Sequence, residues 1–153
     1  MEKERLQEIL EKHEKWLNDE DGGERANLEY ADLTNADLTN ADLSNANLSN
    51  ANLSIADLRN ANLKDGRIWD TKFTGVRGLN VISIQMNTSE RNRLINYIPS
   101  IDRVSAGCFH GTLEELKDKV KEIHGNNPII KERYEKAIEF IEFLVESYKE
   151  QED

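Results

Sequence analysis

An eightfold repeat with a period of five residues occupies positions 26–65, and this feature most restricts what the chain can fold into. Each unit begins with Ala, continues with Asp or Asn, and places Leu third, from Leu28 to Leu63. A period of five matches neither the roughly 3.6 residues of a helical turn nor the alternation of a strand. Such strict repetition predicts a solenoid, in which successive coils stack and bury a shared axis.

The residue types within each unit suggest how such a coil is built. Leu can fill a narrow axis, and only a small residue fits at the Ala position because protein interiors are close-packed. Asp and Asn side chains bond neighbouring backbone groups in turns, so we expect them to face outward or hold the corners. A low-complexity linker is the alternative, and the unbroken Leu series argues against it.

The pattern A(D/N)LXX resembles the pentapeptide-repeat family over these eight units, and degenerate units follow at 66–70 and 71–75. This resemblance implies a right-handed, four-sided β-helix with four pentapeptides per coil and about two and a half to three coils. Residues twenty apart should then stack in columns. At the second position, the Asp and Asn of the first two coils are followed by Arg67, Lys72 and Arg77. Neutralisation of an acidic column or a basic rim for an anion would both explain that change.

The fold class predicted is mainly a β solenoid with an N-terminal helix cap, C-terminal strands and two C-terminal helices. Residues 2–18 have apolar side chains at helical spacing, including Leu6 and Leu17. We interpret this helix as a cap over the open solenoid end, and a partner- or membrane-surface helix is the alternative. The predicted regions are a capping helix at 1–25, the repeat β-helix at 26–78, and a cap and oligomerisation module at 79–153.

Three short strands are predicted after the repeats, from Leu79 to Met86, Leu94 to Ile98 and Arg103 to Cys108, with a turn at Asn87-Thr88-Ser89. Thr112 and Glu115 form a capping box that opens a helix. A last helix is predicted from about 129 to 149. Its heptad seam comprises Tyr134, Ile138, Ile141, Val145 and Tyr148, and Phe140 and Phe143 widen its apolar surface. This surplus predicts a homo-oligomer through helix 129–149, with a dimer as the commonest form.

From about residue 79 the chain also resembles a C-terminal module that follows pentapeptide repeats in phage and prophage proteins. The matching residues lie at 89–91, 107–109, 111–115 and 124–126. This resemblance implies a small phage-type accessory protein that modulates the host or its defences.

Composition and motifs argue against several other classes. The net charge of −10 disfavours direct binding to nucleic acid, and no apolar run is long enough for a membrane span. The single cysteine, Cys108, and the lack of a visible signal peptide favour the cytoplasm, that of the host if the chain is phage-encoded. We predict no metal or cofactor, since no such motif is present. Cys108 and His110 could form a nucleophile pair, but a small buried cysteine is favoured, so we predict no catalytic residues and no enzyme.

Three binding functions follow as hypotheses. The first is a protein-interaction module that contacts a protein partner. The second is mimicry of DNA to inhibit an enzyme such as gyrase, against which the short repeat argues. The third is sequestration of a small anionic ligand, such as a signalling nucleotide, by the basic segment 67–112, which carries six basic and three acidic residues. A helix N-terminus favours phosphate, and the candidate ligand-binding residues are Arg91, Arg93, Arg103, Phe109, His110, Gly111 and Thr112.

Overall fold

The structure is a computed structural model that describes residues 1–88, 91–107, 109–123 and 127–149. Only the backbone is described at 87, 88, 91–93, 123 and 149. The chain divides into two compact units, Met1–Asn80 and Val81–Asp153. The boundary predicted between residues 78 and 79 lies two residues earlier, and the predicted capping region belongs to the same unit as the repeats.

The repeats form a β solenoid in which each coil uses four pentapeptides. Parallel backbone bridges join residues twenty apart, in series such as Asn27 to Asn47 to Arg67. The N–H of each third-position residue donates to the second-position carbonyl one coil later, as from Leu28 to Asn47 at 2.7 Å. A turn follows in every pentapeptide, so each coil has four turns. The predicted twenty-residue columns are therefore confirmed.

The solenoid axis is filled by the third residue of every unit. Each of these side chains is buried, and from Leu43 to Leu53 the exposed fraction is zero. The second-position side chains hold the turns, as predicted. The Asp32 Oδ1 atom, for example, accepts the backbone N–H of Thr34 at 3.1 Å and the Thr34 hydroxyl at 2.6 Å. One residue type thus fills the core while its neighbour satisfies the turn backbone.

The N-terminal helix α1, Lys3–Leu17, lies against the first coil. Its His13 side chain is fully buried. The N–H of Ala26 donates to His13 Nδ1 at 3.1 Å, and His13 Nε2 lies 3.0 Å from the Ser44 carbonyl oxygen. Because Nδ1 accepts a hydrogen bond, the proton of the neutral ring is on Nε2 and is donated to Ser44. The buried His13 imidazole therefore joins α1 to the first coil by hydrogen bonds at Ala26 and Ser44.

The second unit contains a four-stranded antiparallel sheet of order β1-β2-β3-β4. Its strands are β1, Ile82–Thr88, β2, Arg91–Ile98, β3, Arg103–Ala106, and β4, Phe109–Gly111. A short 3₁₀ helix, Pro99–Ile101, joins β2 to β3. Two helices follow, α2, Leu113–Ile123, and α3, Pro128–Lys149.

The sequence prediction misplaced several boundaries in this unit. Asn87 and Thr88 were predicted in a turn, but they continue β1 because they pair with Asn92 and Arg91 across the hairpin. The third strand ends at Ala106, before Gly107 adopts a φ of +60°, and not at Cys108. Residues 109–111, which lie beyond the three predicted strands, pair with β3 as a fourth strand. The predictions on Ser89, Cys108 and residues 124–126 lie outside the described residues.

One face of the sheet packs against α2 and α3 to form the core of the second unit. Alternate strand residues supply its sheet side, and α3 supplies Ala137, Ile138 and Ile141. The paired residues of the opposite face form a polar row across the four strands, consisting of Ser83, Asn96, Ser105 and His110. Two residues of the predicted heptad seam on α3, Ile138 and Ile141, are thus buried in the core of their own unit.

Candidate functional site

The structure distributes the predicted anion-binding residues over both faces of the sheet. Arg91 and Arg93 lie on β2, and their side chains are outside the described residues. Phe109 packs against the core beneath the helices. His110 pairs with Ser105, and Arg103 shares that opposite face because strand residues alternate. These residues therefore do not converge on one side of the sheet.

The start of α2 is already occupied by carboxylates of the same chain. The N–H of Thr112 donates to Glu115 Oε2 at 2.8 Å, and the N–H of Glu115 donates to Thr112 Oγ1 at 3.2 Å. The N–H of Leu113 donates to Asp102 Oδ1 at 3.2 Å. The predicted capping box is confirmed. An anion at this helix start would meet two carboxylates, so the geometry favours a structural role for Thr112.

Close packing accounts for the other predicted residues of this segment. A Cβ atom on Gly111 would lie 2.4 Å from Glu115 Oε2 and 2.8 Å from Phe109 Cζ. A side chain at that position would therefore require the ends of Glu115 and Phe109 to shift. Tyr97, considered as a stacking partner for a base, is buried and donates its hydroxyl to Asp102 at 3.1 Å. Burial, aided by the charge of Asp102, raises the pKa of Tyr97 to about 12.

A different surface of the second unit is apolar and exposed. Along α3, Phe140 is 51% exposed and Phe143 is 63% exposed. Ile129 is 62% exposed and lies on the same side, about three helical turns before Phe140. These three side chains lie apart from the buried stripe of Ala137, Ile138 and Ile141. The helix therefore presents a second apolar stripe that its own unit does not cover.

A groove of about 440 Å³ lies between β1 and α3, next to that stripe. The strand contributes Ile84, Gln85 and Met86, and the helix contributes Phe140 on its rim. Its remaining lining residues are Glu132, Arg133, Lys136 and Ala137. We call this groove, together with Ile129 and Phe143, the α3 surface.

Sequence reasoning predicted the excess of apolar side chains on the helix but missed the contribution of β1 to the groove. The available signal was the composition of the strand, ISIQMNT, which alternates apolar residues and contains no charge. Its partner element could not be read from the sequence, because the packing of α3 against β1 joins segments some fifty residues apart.

The charges of α3 are arranged unevenly along its length. Residues 128–138 carry three basic and two acidic side chains, a net of +1, whereas 139–149 carry three acidic and one basic, a net of −2. Several pair locally, such as Lys136 with Glu139 at 2.8 Å. Lys117 of α2 pairs with Glu142, and its Glu142 and Glu114 partners raise the pKa of Lys117. The helix thus has a basic first half and an acidic second half.

Within the described residues, no three His, Cys, Asp or Glu side chains come together as a metal site. Among the same residues, no helix has the length and apolarity needed to cross a membrane.

Comparison with known proteins places the repeats in a family. A family model described as pentapeptide repeats (8 copies) matches residues 26–65 and, in an overlapping match, residues 41–77. No curated protein matches the chain. The α3 surface lies outside the residues that the family model covers.

Proposed function

We propose that this pentapeptide-repeat protein, whose repeats occupy residues 26–77, is a non-enzymatic binding protein. Its second unit self-associates through the α3 surface, and the partner is a second copy of the chain. The observation that carries this proposal is the exposure of Phe140 and Phe143 beside an apolar groove. Exposed aromatic side chains next to a groove are typical anchors of protein interfaces.

The polarity of the remaining chain strengthens this argument. Charged residues make up 33% of the sequence, and the repeat leucines are fully buried. Contiguous exposed apolar surface is uncommon on monomeric proteins and marks an interaction site. A stripe of two phenylalanines and one isoleucine in such a chain therefore favours coverage by a protein partner.

The charge pattern of α3 favours a second copy as that partner. A two-fold axis perpendicular to α3 places the two α3 helices of a dimer antiparallel. The basic half of one helix, with Lys131, Arg133 and Lys136, then meets the acidic half of the other. A parallel arrangement would instead juxtapose like charges. The surface is thus electrostatically self-complementary when antiparallel.

Self-association gives the repeat unit a biochemical role. A dimer carries two solenoids, and two linked binding modules bind a repeated target more tightly than one. We propose that the solenoid, with its Asn, Ser and Thr surface, is the part that contacts the target. The phage-type accessory role and the cytoplasmic location remain predictions, because the matched residues cover only the repeats.

The alternative functions have less geometric support. The bridged columns contain three rungs, which at ~4.8 Å per coil span ~10 Å. That is about three base pairs of DNA at ~3.4 Å each, so duplex mimicry would need many copies in line. Sequestration of an anion at the start of α2 would require displacing Glu115 or Asp102 from its backbone donor.

Light scattering after size-exclusion chromatography tests the proposal. We expect the wild type to be a dimer at micromolar concentration and Phe143→Glu to raise the dimer dissociation constant at least about tenfold, because a carboxylate would be buried among apolar groups. The matched control is Tyr30→Glu, which changes a 74% exposed aromatic on the solenoid and should leave the dimer unchanged. A monomeric wild type, or equal effects of both substitutions, would contradict the proposal.

A further inference from the structure

The two edges of the sheet in the second unit differ in how they are protected. The β4 edge has only three residues, Phe109–Gly111, and α2 begins two residues later. The β1 edge has seven residues, Ile82–Thr88, and within the described residues of the unit it pairs only with β2. Its sequence contains no charge and no proline. Proteins normally protect a long edge with lysine, proline or a bulge, because its free backbone groups pair with other strands.

We propose that β1 pairs antiparallel with β1 of a second copy across a two-fold axis, which joins the two sheets into one of eight strands. This inference rests on the proposed self-association and names its geometry. A symmetric partner explains why the edge lacks protective charges, since the second copy covers it. The short β4 edge needs no such cover.

The side chains of β1 suit this pairing. Ile84 and Met86 belong to the helix-covered face of the sheet, and the exposed Gln85 lies between them at the edge of the same groove. Pairing centred on Gln85 places Ile84 of one copy opposite Met86 of the other on the helix side. The two grooves then become one, and Phe140 from each rim lies over the junction.

The same symmetry satisfies the helices. Because α3 packs on the same sheet face as the groove, a two-fold axis through the β1 pair brings the two α3 helices side by side and antiparallel. This is the arrangement in which the basic half of one α3 meets the acidic half of its partner. Backbone pairing and helix charge therefore select the same dimer.

A charge exchange at Gln85 tests this geometry. Across the axis, residue 85 faces its own counterpart, so Gln85→Lys and Gln85→Glu each place like charges directly opposite. We expect each variant alone to raise the dimer dissociation constant about tenfold and an equimolar mixture of the two to form a heterodimer near wild-type affinity. With the Gln85→Glu variant uniformly labelled with ¹⁵N, native mass spectrometry separates the homodimers from the heterodimer by mass. The matched control is Glu122→Gln, which changes the net charge by the same +1 as Gln85→Lys on the exposed side of α2.

The outcomes separate this inference from the proposed function. Weak homodimers with a restored heterodimer support β1 pairing. If both Gln85 variants dimerise like the wild type while Phe143→Glu does not, the α3 surface mediates self-association and the β1 pairing is wrong. A wild type that stays monomeric would overturn both. A mixture that stays monomeric, with circular dichroism showing folded variants, also overturns the pairing.

Discussion

The two units of this protein encode their structure in different ways. In the repeat unit, the residues bridged between coils lie twenty positions apart, as in the series Asn27, Asn47 and Arg67. In the second unit, β1 contacts α3 although the two are far apart in the sequence, and no sequence period predicts that contact. The repeat unit buries every leucine of its repeats, whereas the second unit leaves Phe140 and Phe143 exposed.

This contrast separates structural and interaction roles within one chain. A repeat that buries every leucine has little apolar surface left for a partner, and its exposed face is polar. The second unit does not follow the repeat, and it combines an edge strand, β1, with an exposed apolar stripe on α3. Self-association is therefore expected from the second unit, and recognition by polar contacts from the first.

The largest expected effect concerns the solenoid axis. Leu48→Ala should lower the free energy of unfolding by about 3 kcal/mol, because Leu48 has no exposed surface and the coils above and below it can collapse only partly. Ile141→Ala, at a fully buried position of the second unit, should cost a similar amount. Urea denaturation measures both, with the exposed Lys64→Ala as control. If Leu48→Ala lowered the free energy of unfolding by less than about 1 kcal/mol while Ile141→Ala did not, the repeat unit would be loosely packed. That result would contradict the contrast drawn between the two units.

A second prediction concerns the pH dependence of the repeat unit. Burial lowers the pKa of His13, although the Ser44 carbonyl and Asp42 oppose this and Arg25 adds to it. The unfolded state therefore binds the proton first as the pH falls below about 6.5, and stability present at neutral pH is lost with a slope of at most about 1.4 kcal/mol per pH unit. Protonation also removes the acceptor for the Ala26 N–H.

Thermal unfolding of wild type and His13→Gln between pH 5 and pH 7.5 tests this effect. The wild type should lose more stability than the variant on acidification, so the difference between them should shrink as the pH falls. The acidic side chains Asp32 and Asp37 have lowered pKa values because they accept hydrogen bonds from Thr34 and Thr39, and they act on both proteins equally. Parallel profiles would contradict the assigned role of His13.

The smallest expected effect concerns the fifth position of the pentapeptides. The fifth residue of each unit adopts a left-handed conformation, with φ of 59° at Asn35 and 63° at Ile55. This conformation is costly for a β-branched residue and easier for Asn. Ile55→Asn should therefore stabilise the repeat unit by about 1 kcal/mol, and the reverse change at Asn35, one coil below, should destabilise it. If Ile55→Asn lowered the melting temperature, a contact of the half-exposed Ile55 side chain would outweigh its strain.

The sequence was sufficient for the repeat unit because one rule determines period, column and side-chain direction together. Its exceptions, Tyr30 and Ile55 at left-handed corners, are also visible in the sequence once the register is known. The second unit was predicted more coarsely. Its capping box at Thr112 and Glu115 is local and was found, whereas β4 depends on pairing with β3, which no local signal records.

The candidate site shows the same limit. The helical period revealed the excess of apolar residues on α3, including Phe140 and Phe143. The predicted anion-binding residues are divided between the two faces of the sheet because Phe109 and His110 alternate along β4, a strand that was not predicted. The sequence could not identify Asp102 as the acceptor of the Leu113 N–H, since the two residues are eleven positions apart and no local motif joins them.

The mass of the protein in solution tests the central claim most directly. Sedimentation equilibrium at micromolar concentration should give about 35 kDa, twice the 17.6 kDa of one chain, and Phe143→Glu should return the mass toward that of one chain. A wild-type mass of 17.6 kDa across that concentration range would contradict the account.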